Sequence, residues 1–342
     1  MSTPIKNMSK LLTPRILSPI SPNFLSVFNR EVINKYERKH SVAKRIDFSK
    51  SPQRNNASVE IKIASISDDL KKDLQKYDVL INTPNKQKII KNGIEDEKFF
   101  NVLGRGGFGR VFKAKHKGTT VAMKLVRKTN YIGEKNVLTL NHKNIVTVLE
   151  IVENEKENFC LILMEYLENC NTLQKMYTNP EIDFSKLLKY AVDICEGLKY
   201  CHSNKVLHLD LKPSNILIIN GNCKICDFGN SVKNVECVDH FQHHGTIHYT
   251  APEILLGKKP NEKSDIYSLG IIFWQLKTRK TPYVEIDNIE CVIYKVVKCN
   301  LRPESEKPFD EFSHLYQQCW NQNQFERPNV SDILEKLSTV NC

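Results

Sequence analysis

The chain of 342 residues has no apolar run near the roughly 18 residues that a membrane-spanning helix needs. Its first residues include no apolar stretch of the signal-peptide kind, which argues against secretion. No internal repeat is visible. The 11 cysteines are odd in number, scatter from Cys160 to Cys342, and form no close run with two histidines in zinc-finger spacing. That pattern points to reduced thiols in the cytosol or nucleus rather than to a disulfide framework, and the cytoplasm is the expected location. What is present is ordinary: 40% hydrophobic and 26% charged residues, a globular composition that excludes fibrous classes. The length suits two lobes, or one large domain with a tail.

The net charge of +11 is unevenly spread. Residues 1–93 hold 18 basic and 8 acidic residues, and residues 94–342 hold 32 and 31. The excess therefore sits in the first quarter, among Ser, Asn and Pro, as in a solvated tail. A basic handle for an acidic partner or RNA is the sharper alternative. No aromatic ladder accompanies the charge, so nucleic acid is not an expected partner.

The same quarter carries Thr3-Pro4, Thr13-Pro14, Ser18-Pro19, Ser21-Pro22, Ser51-Pro52 and Thr83-Pro84. Each Pro disfavours helix in the residue before it, so the segment reads as extended or disordered. Proline-directed kinases act on such dipeptides and are candidate partners. Val59, Ile61 and Ile63 alternate like a strand. Ile66, Leu70, Leu74, Tyr77 and Ile81 recur like a helix stripe, which predicts a short helix over 66–81.

From Glu97 the texture changes. Short apolar runs and Gly-rich turns continue to about Pro180 and predict a small sheet with one interrupting helix. Long helical patterns follow: Phe184 to His202, Lys263 to Thr278, Ile286 to Cys299, Phe309 to Asn321, and Val330 to Val340. Strands first and helices afterwards predict an α+β protein of two lobes. The boundaries are 1–93 for a basic, mostly disordered extension, 94–167 for a small, mostly β lobe and hinge, and 168–342 for a large, mostly α lobe.

Gly104-Arg105-Gly106-Gly107-Phe108-Gly109-Arg110-Val111 fits G-x-G-x-x-G-x-V. An alternating strand follows rather than a helix, so this is a hairpin and not a dinucleotide-binding turn. Glycines there let backbone N–H groups approach phosphate oxygens. Val121-Ala122-Met123-Lys124 comes next, then Glu134 and Leu138 on a short helical stretch, then His142-Lys143-Asn144-Ile145-Val146. A Glu one helix away can aim a lysine at phosphates. His208-Leu209-Asp210-Leu211-Lys212-Pro213-Ser214-Asn215, Asp227-Phe228-Gly229 and Ala251-Pro252-Glu253 complete the series. Motifs in this order are far more specific than any one of them.

The series resembles the protein kinase superfamily from about Phe99 to Leu337. The resemblance implies transfer of the ATP γ-phosphoryl to a protein hydroxyl, with ATP and Mg²⁺ as cofactors. It implies Asp227 and Asn215 as oxygen ligands of Mg²⁺. Asp210 would take the substrate hydroxyl proton, and Lys212 would neutralise the moving phosphoryl. Lys124, held by Glu134, would grip the α- and β-phosphates under Gly104, Gly106 and Gly109. Adenine would lie between Leu103, Val111 and Ala122 above and Leu217 below, with Met164 at the back and Glu165 and Leu167 on the hinge. Core packing is the plainer reading of Met164, and both can hold. Asp265 would anchor the catalytic loop, and Glu253 with Arg327 would clamp the large lobe.

Lys212 directly after Asp-Leu resembles Ser/Thr kinases, and Gly245-Thr246 supports this. Thr246 would bridge Asp210 and Lys212. The 208–217 run, Cys223 to Ser231, Ser268 to Tyr283 and Asn300-Leu301-Arg302-Pro303 are similar to the Mos family of Ser/Thr kinases. Those kinases act in oocyte meiosis on a MAP-kinase-kinase, which becomes the implied protein substrate. Asn230 departs from the Cys associated with that family. The alternatives are a pseudokinase scaffold, or a tail that recruits partners with the kinase as passenger.

Leu209 stands where most kinases carry an Arg that grips an activation-loop phosphate. The loop from Asn230 to Gly245 offers only Ser231 as a hydroxyl, and the Lys124-to-Glu134 gap is short. Together these predict an enzyme not switched on by loop phosphorylation. Cys237, His240, His243, His244 and His248 crowd the same loop, as a metal site or simply a solvated polar stretch. Cys226 reads as a packed thiol rather than a redox switch.

Overall fold

The computed structural model describes residues 78–79, 102–106, 109–127, 131–153, 159–177, 183–233, 245–305, 307 and 309–340. The small lobe is an antiparallel sheet. Its strands are β1 (Asp78–Val79), β2 (Val102–Gly106), β3 (Gly109–His116), β4 (Thr119–Arg127), β5 (Val148–Glu153) and β6 (Phe159–Glu165). They run in the order β1-β3-β4-β6-β5, and β2 also pairs with β3. The glycine motif is a hairpin, with Gly106 opposite Gly109. Alternation sends Phe112, Ala114, Val121, Met123, Leu161 and Leu163 into one small apolar cluster. The interrupting helix α1 (Ile132–Lys135) is a single turn.

The predicted helix over 66–81 is corrected where it can be seen. Asp78 and Val79 form a strand against Lys115 and Ala114 of β3. Beyond the start of β2, that edge of β3 presents unpaired backbone groups, and a strand satisfies them where a helix could not. The rest of that helix and the strand pattern at 59–63 lie outside the described residues.

The large lobe is built on helices. These are α2 (Leu173–Met176), α3 (Phe184–Ser203), α4 (Pro252–Leu255), α5 (Glu262–Thr278), α6 (Ile289–Lys298), α7 (Glu311–Cys319) and α8 (Val330–Thr339). The five long helices fall where the apolar periodicity predicts them. α3 starts at Asp183, whose carboxylate accepts the Lys186 N–H at 2.8 Å. Asn261 and Ser264 form a capping box at the start of α5, and Arg279 ends the helix in the left-handed region at φ 61°. Leu269, Ile271, Ile272, Phe273 and Leu276 of α5 are fully buried, because apolar neighbours surround this helix. Truncating any of them to Ala would cost about 2–5 kcal/mol.

Short strands carry the functional loops. β7 (Asn171–Thr172), β9 (Ile216–Ile219) and β10 (Asn222–Ile225) form one ribbon, and β8 (Val206–Leu207) pairs with β11 (Val232–Lys233). Cys223 and Cys226 are spaced C-x-x-C, yet strand alternation sends side chains three apart to opposite faces, and both are free thiols. No described helix is long and apolar enough to cross a membrane.

Candidate active site

β4 and the α1 turn bring three charges together. Lys124 Nζ donates to Glu134 Oε1 and, at 2.6 Å, to Asp227 Oδ1. Lys124 and Glu134 are buried. Burial alone would lower the Lys124 pKa, but Glu134 and Asp227 outweigh it and raise it. Burial pushes the Glu134 carboxyl up against the pull of Lys124. At Asp227 the attraction of Lys124 prevails over burial and lowers the pKa.

The loop between β8 and β9 supplies the second cluster. Lys212 Nζ donates to Asp210 Oδ2 at 2.7 Å and to Thr246 Oγ1 at 2.8 Å. The Thr246 N–H donates to Asp210 Oδ1 at 3.0 Å. Thr246 thus touches both Asp210 and Lys212. Asn215 Nδ2 donates to the Asp210 carbonyl at 2.9 Å, which leaves its amide oxygen as the remaining donor atom for a ligand. The Cys226 N–H donates to the Asn215 carbonyl at 2.9 Å and ties this loop to the Asp227 segment. A carboxylate and an amide oxygen on adjoining backbones fit a hard divalent cation.

Asp265, wholly buried on α5, holds the loop from below. It accepts the N–H groups of His208 at 3.0 Å and Leu209 at 2.8 Å, and His202 Nε2 at 2.9 Å. Burial would raise its pKa, but the bonds and charges of His202 and His208 lower it. Leu209 sits at φ 61° and Asp227 at φ 65°. Each such residue costs about 1–2 kcal/mol relative to ordinary backbone, so both conformations need this bonding. Arg327 meets Glu253 in a bidentate pair at 2.8 and 2.9 Å.

The adenine-side residues fall on strands bordering the hinge. Ala122 lies opposite Met164 and Val111 opposite Lys124. Leu217 lies opposite Thr172 on β7 and Lys224 on β10. A Cβ at Gly104 would meet nothing within 4 Å. Leu167 is partly buried, while Leu103 is 44% exposed and makes no closed wall.

Sequence reasoning overlooks Lys224. Its Nζ donates to Glu165 Oε1 at 2.7 Å and to the Ile145 carbonyl at 3.4 Å, and Glu165 Oε1 also accepts the Thr147 N–H at 2.8 Å. This junction fastens the hinge to the large lobe. Leu138 is 39% exposed, and Val137 and Leu140 turn into the core instead, because α1 ends after one turn and the helical phase stops there. Cys226 is half-buried, and desolvation pushes its thiol pKa up. Among the described residues no group of three or more His, Cys, Asp or Glu could hold a metal. Cys237, His240, His243 and His244 lie outside the described residues, while His248 stacks near Tyr283 with ring centroids 6.3 Å apart.

The protein kinase domain family matches residues 98–337. A serine/threonine-protein kinase mos of Patiria pectinifera is 36% identical over 267 residues, covering 72% of this chain and 75% of that protein. The proto-oncogene serine/threonine-protein kinase mos of Rattus norvegicus is 37% identical over 266 residues, covering 68% and 78%. The Xenopus laevis serine/threonine-protein kinase mos is 34% identical over 265 residues, covering 69% and 73%. With an ATP-using kinase domain over most of its length and these relatives across it, the chain belongs to the Mos family of serine/threonine protein kinases.

Proposed function

We propose that this kinase phosphorylates a MAP-kinase-kinase on Ser or Thr, in the cytoplasm, as part of oocyte meiotic control. The resemblance to Mos kinases supports the substrate and setting. The observation that carries the chemistry is the convergence of Asp210, Lys212, Asn215 and Thr246 in one bonded cluster, joined to Asp227 and Lys124.

Asp210 orients the substrate hydroxyl and accepts its proton as the oxygen bonds to the γ-phosphorus and the bond to ADP breaks. Lys212 faces the charge of the moving phosphoryl, and Thr246 keeps Lys212 and Asp210 in register. Lys124 holds the α- and β-phosphates. Asp227 and Asn215 would hold Mg²⁺, which supplies charge neutralisation between the phosphates. Backbone groups of Glu165 and Leu167 bind the purine edge, and Met164 closes the back. Proline-directed kinases are proposed to act on the Ser/Thr-Pro dipeptides of residues 1–93.

The test is phosphate transfer from ATP with Mg²⁺ to a panel of purified MAP-kinase-kinases, with the phosphosites mapped. Asp210→Asn should lower kcat by about 10²–10⁴-fold in protein that circular dichroism shows to be folded. A protein that keeps its biological effect with Asp210→Asn would be a scaffold, and this reading would fail.

A further inference from the structure

The α1 turn that carries Glu134 cannot hold itself. Four residues are far too few for a stable helix, and its N-cap, Tyr131, provides no side-chain cap. Yet Glu134 is buried and bonded to Lys124. Something else must hold the turn, and the contacts across it show what does.

Gly133 lies against the backbone that follows Asp227. A Cβ at Gly133 would fall 2.5 Å from the Phe228 carbonyl oxygen and 2.6 Å from that of Gly229. No other residue fits without moving that backbone. Ser231 Oγ donates to the Gly133 carbonyl at 2.7 Å. Asn136 Nδ2, at the C-terminal end of the turn, donates to Ser231 Oγ at 3.0 Å and to the Ser231 carbonyl at 3.1 Å. The Ser231 N–H donates to the Phe228 carbonyl at 2.9 Å. Ser231 is 6% exposed, so its hydroxyl is enclosed by these bonds. Immediately beyond, Val232 and Lys233 pair with Leu207 and Val206, just before the catalytic loop. Leu209, buried on that loop, offers no cation to read a phosphate.

We propose that Gly133, Asn136 and Ser231 form a built-in latch that holds Glu134 on Lys124 in place of a phosphorylated activation loop. Ser231 is then a positioning residue and not a phosphoacceptor. The inference rests on the kinase reading and goes beyond it, since it names what keeps the active arrangement assembled. An activity loss in Ser231→Ala would report the lost bond as much as a lost phosphate, so phosphate must be read directly on the protein.

The experiment uses the purified full chain after phosphatase treatment, with dephosphorylated myelin basic protein as a generic acceptor. Activity of the untreated wild type, assayed alongside, stands for the kinase reading. A wild type inactive even before phosphatase treatment sinks that reading and the latch with it, whereas one active before treatment leaves the treated protein and the variants to judge the latch alone. The treated wild type should keep at least half its activity. Ser231→Ala and Asn136→Ala should each lower kcat/KM for ATP tenfold or more. In a Glu134→Gln background the same changes should cost less than twofold, because the latch acts only through Glu134. Asn136 is only partly buried, so Asn136→Ala carries the test if Ser231→Ala fails to fold. Unchanged activity in both single variants, an equal loss with Glu134→Gln, activity abolished by phosphatase, or phosphate mapped on Ser231 of the active enzyme would each overturn the proposal.

Discussion

The two halves of the active site are held in opposite ways. The catalytic loop rests on Asp265, which is wholly buried on a 17-residue helix and accepts bonds from three groups. Glu134 rides on a four-residue turn, whose other side is braced by the Lys135–Glu153 pair at 2.8 Å. That brace is exposed to solvent, which screens it, so it adds little to the fold. The same types of charged group are thus part of the fold's stability in one lobe and nearly detachable from it in the other. Loss of the first should destabilise the fold most, and loss of the second should silence the enzyme while it stays folded.

The largest effect should come from Asp265→Asn. Removing a buried carboxylate from three donors should cost about 3–5 kcal/mol at neutral pH, read by urea unfolding. The folded pKa of Asp265 lies below its unfolded value, so its contribution is complete above about pH 4 and fades as the pH falls through the folded value. The gap between wild type and variant should narrow in acid. A constant gap down to the lowest pH at which the wild type folds would break the assignment.

Glu134→Gln should show the opposite signature. Activity should fall about a hundredfold, the scale of a misplaced contact near the phosphates. Stability should move by only about 1–3 kcal/mol, less than for Asp265→Asn, because Lys124 keeps Asp227. A large drop in stability would erase the contrast between the lobes.

The smallest effect is expected at the hinge. Lys224→Met frees the Glu165 side chain from the large lobe, at about 1 kcal/mol for a partly exposed contact. KM for ATP should rise by roughly fivefold with kcat nearly unchanged. A fall in kcat alone would place Lys224 in the chemistry instead.

The long helices were legible because each buries a stripe of fixed period, and the motifs because phosphate chemistry demands particular groups at short spacings. The latch was not, because Ser231 meets Gly133 from 98 residues away. The one hint was a glycine within a predicted helical stretch, a position where it lowers stability unless another backbone must come close. Lys224 gave no hint at all, since a lysine alternating with apolar residues reads as a solvated strand face. β1 was misread as helix because backbone pairing along a free edge leaves no trace in side-chain pattern.

Leu209 has a bearing on how the loop can carry charge. It is enclosed beside Thr250, Ala251, Ile254, Ser264 and Ser268, and the carboxylate beneath it is already engaged by backbone and His202. An arginine placed at 209 would have to bury its charge in the space of an aliphatic side chain, so Leu209→Arg should destabilise the loop. With an aliphatic side chain buried at 209, a negative charge added to the loop would find no counter-ion from this position.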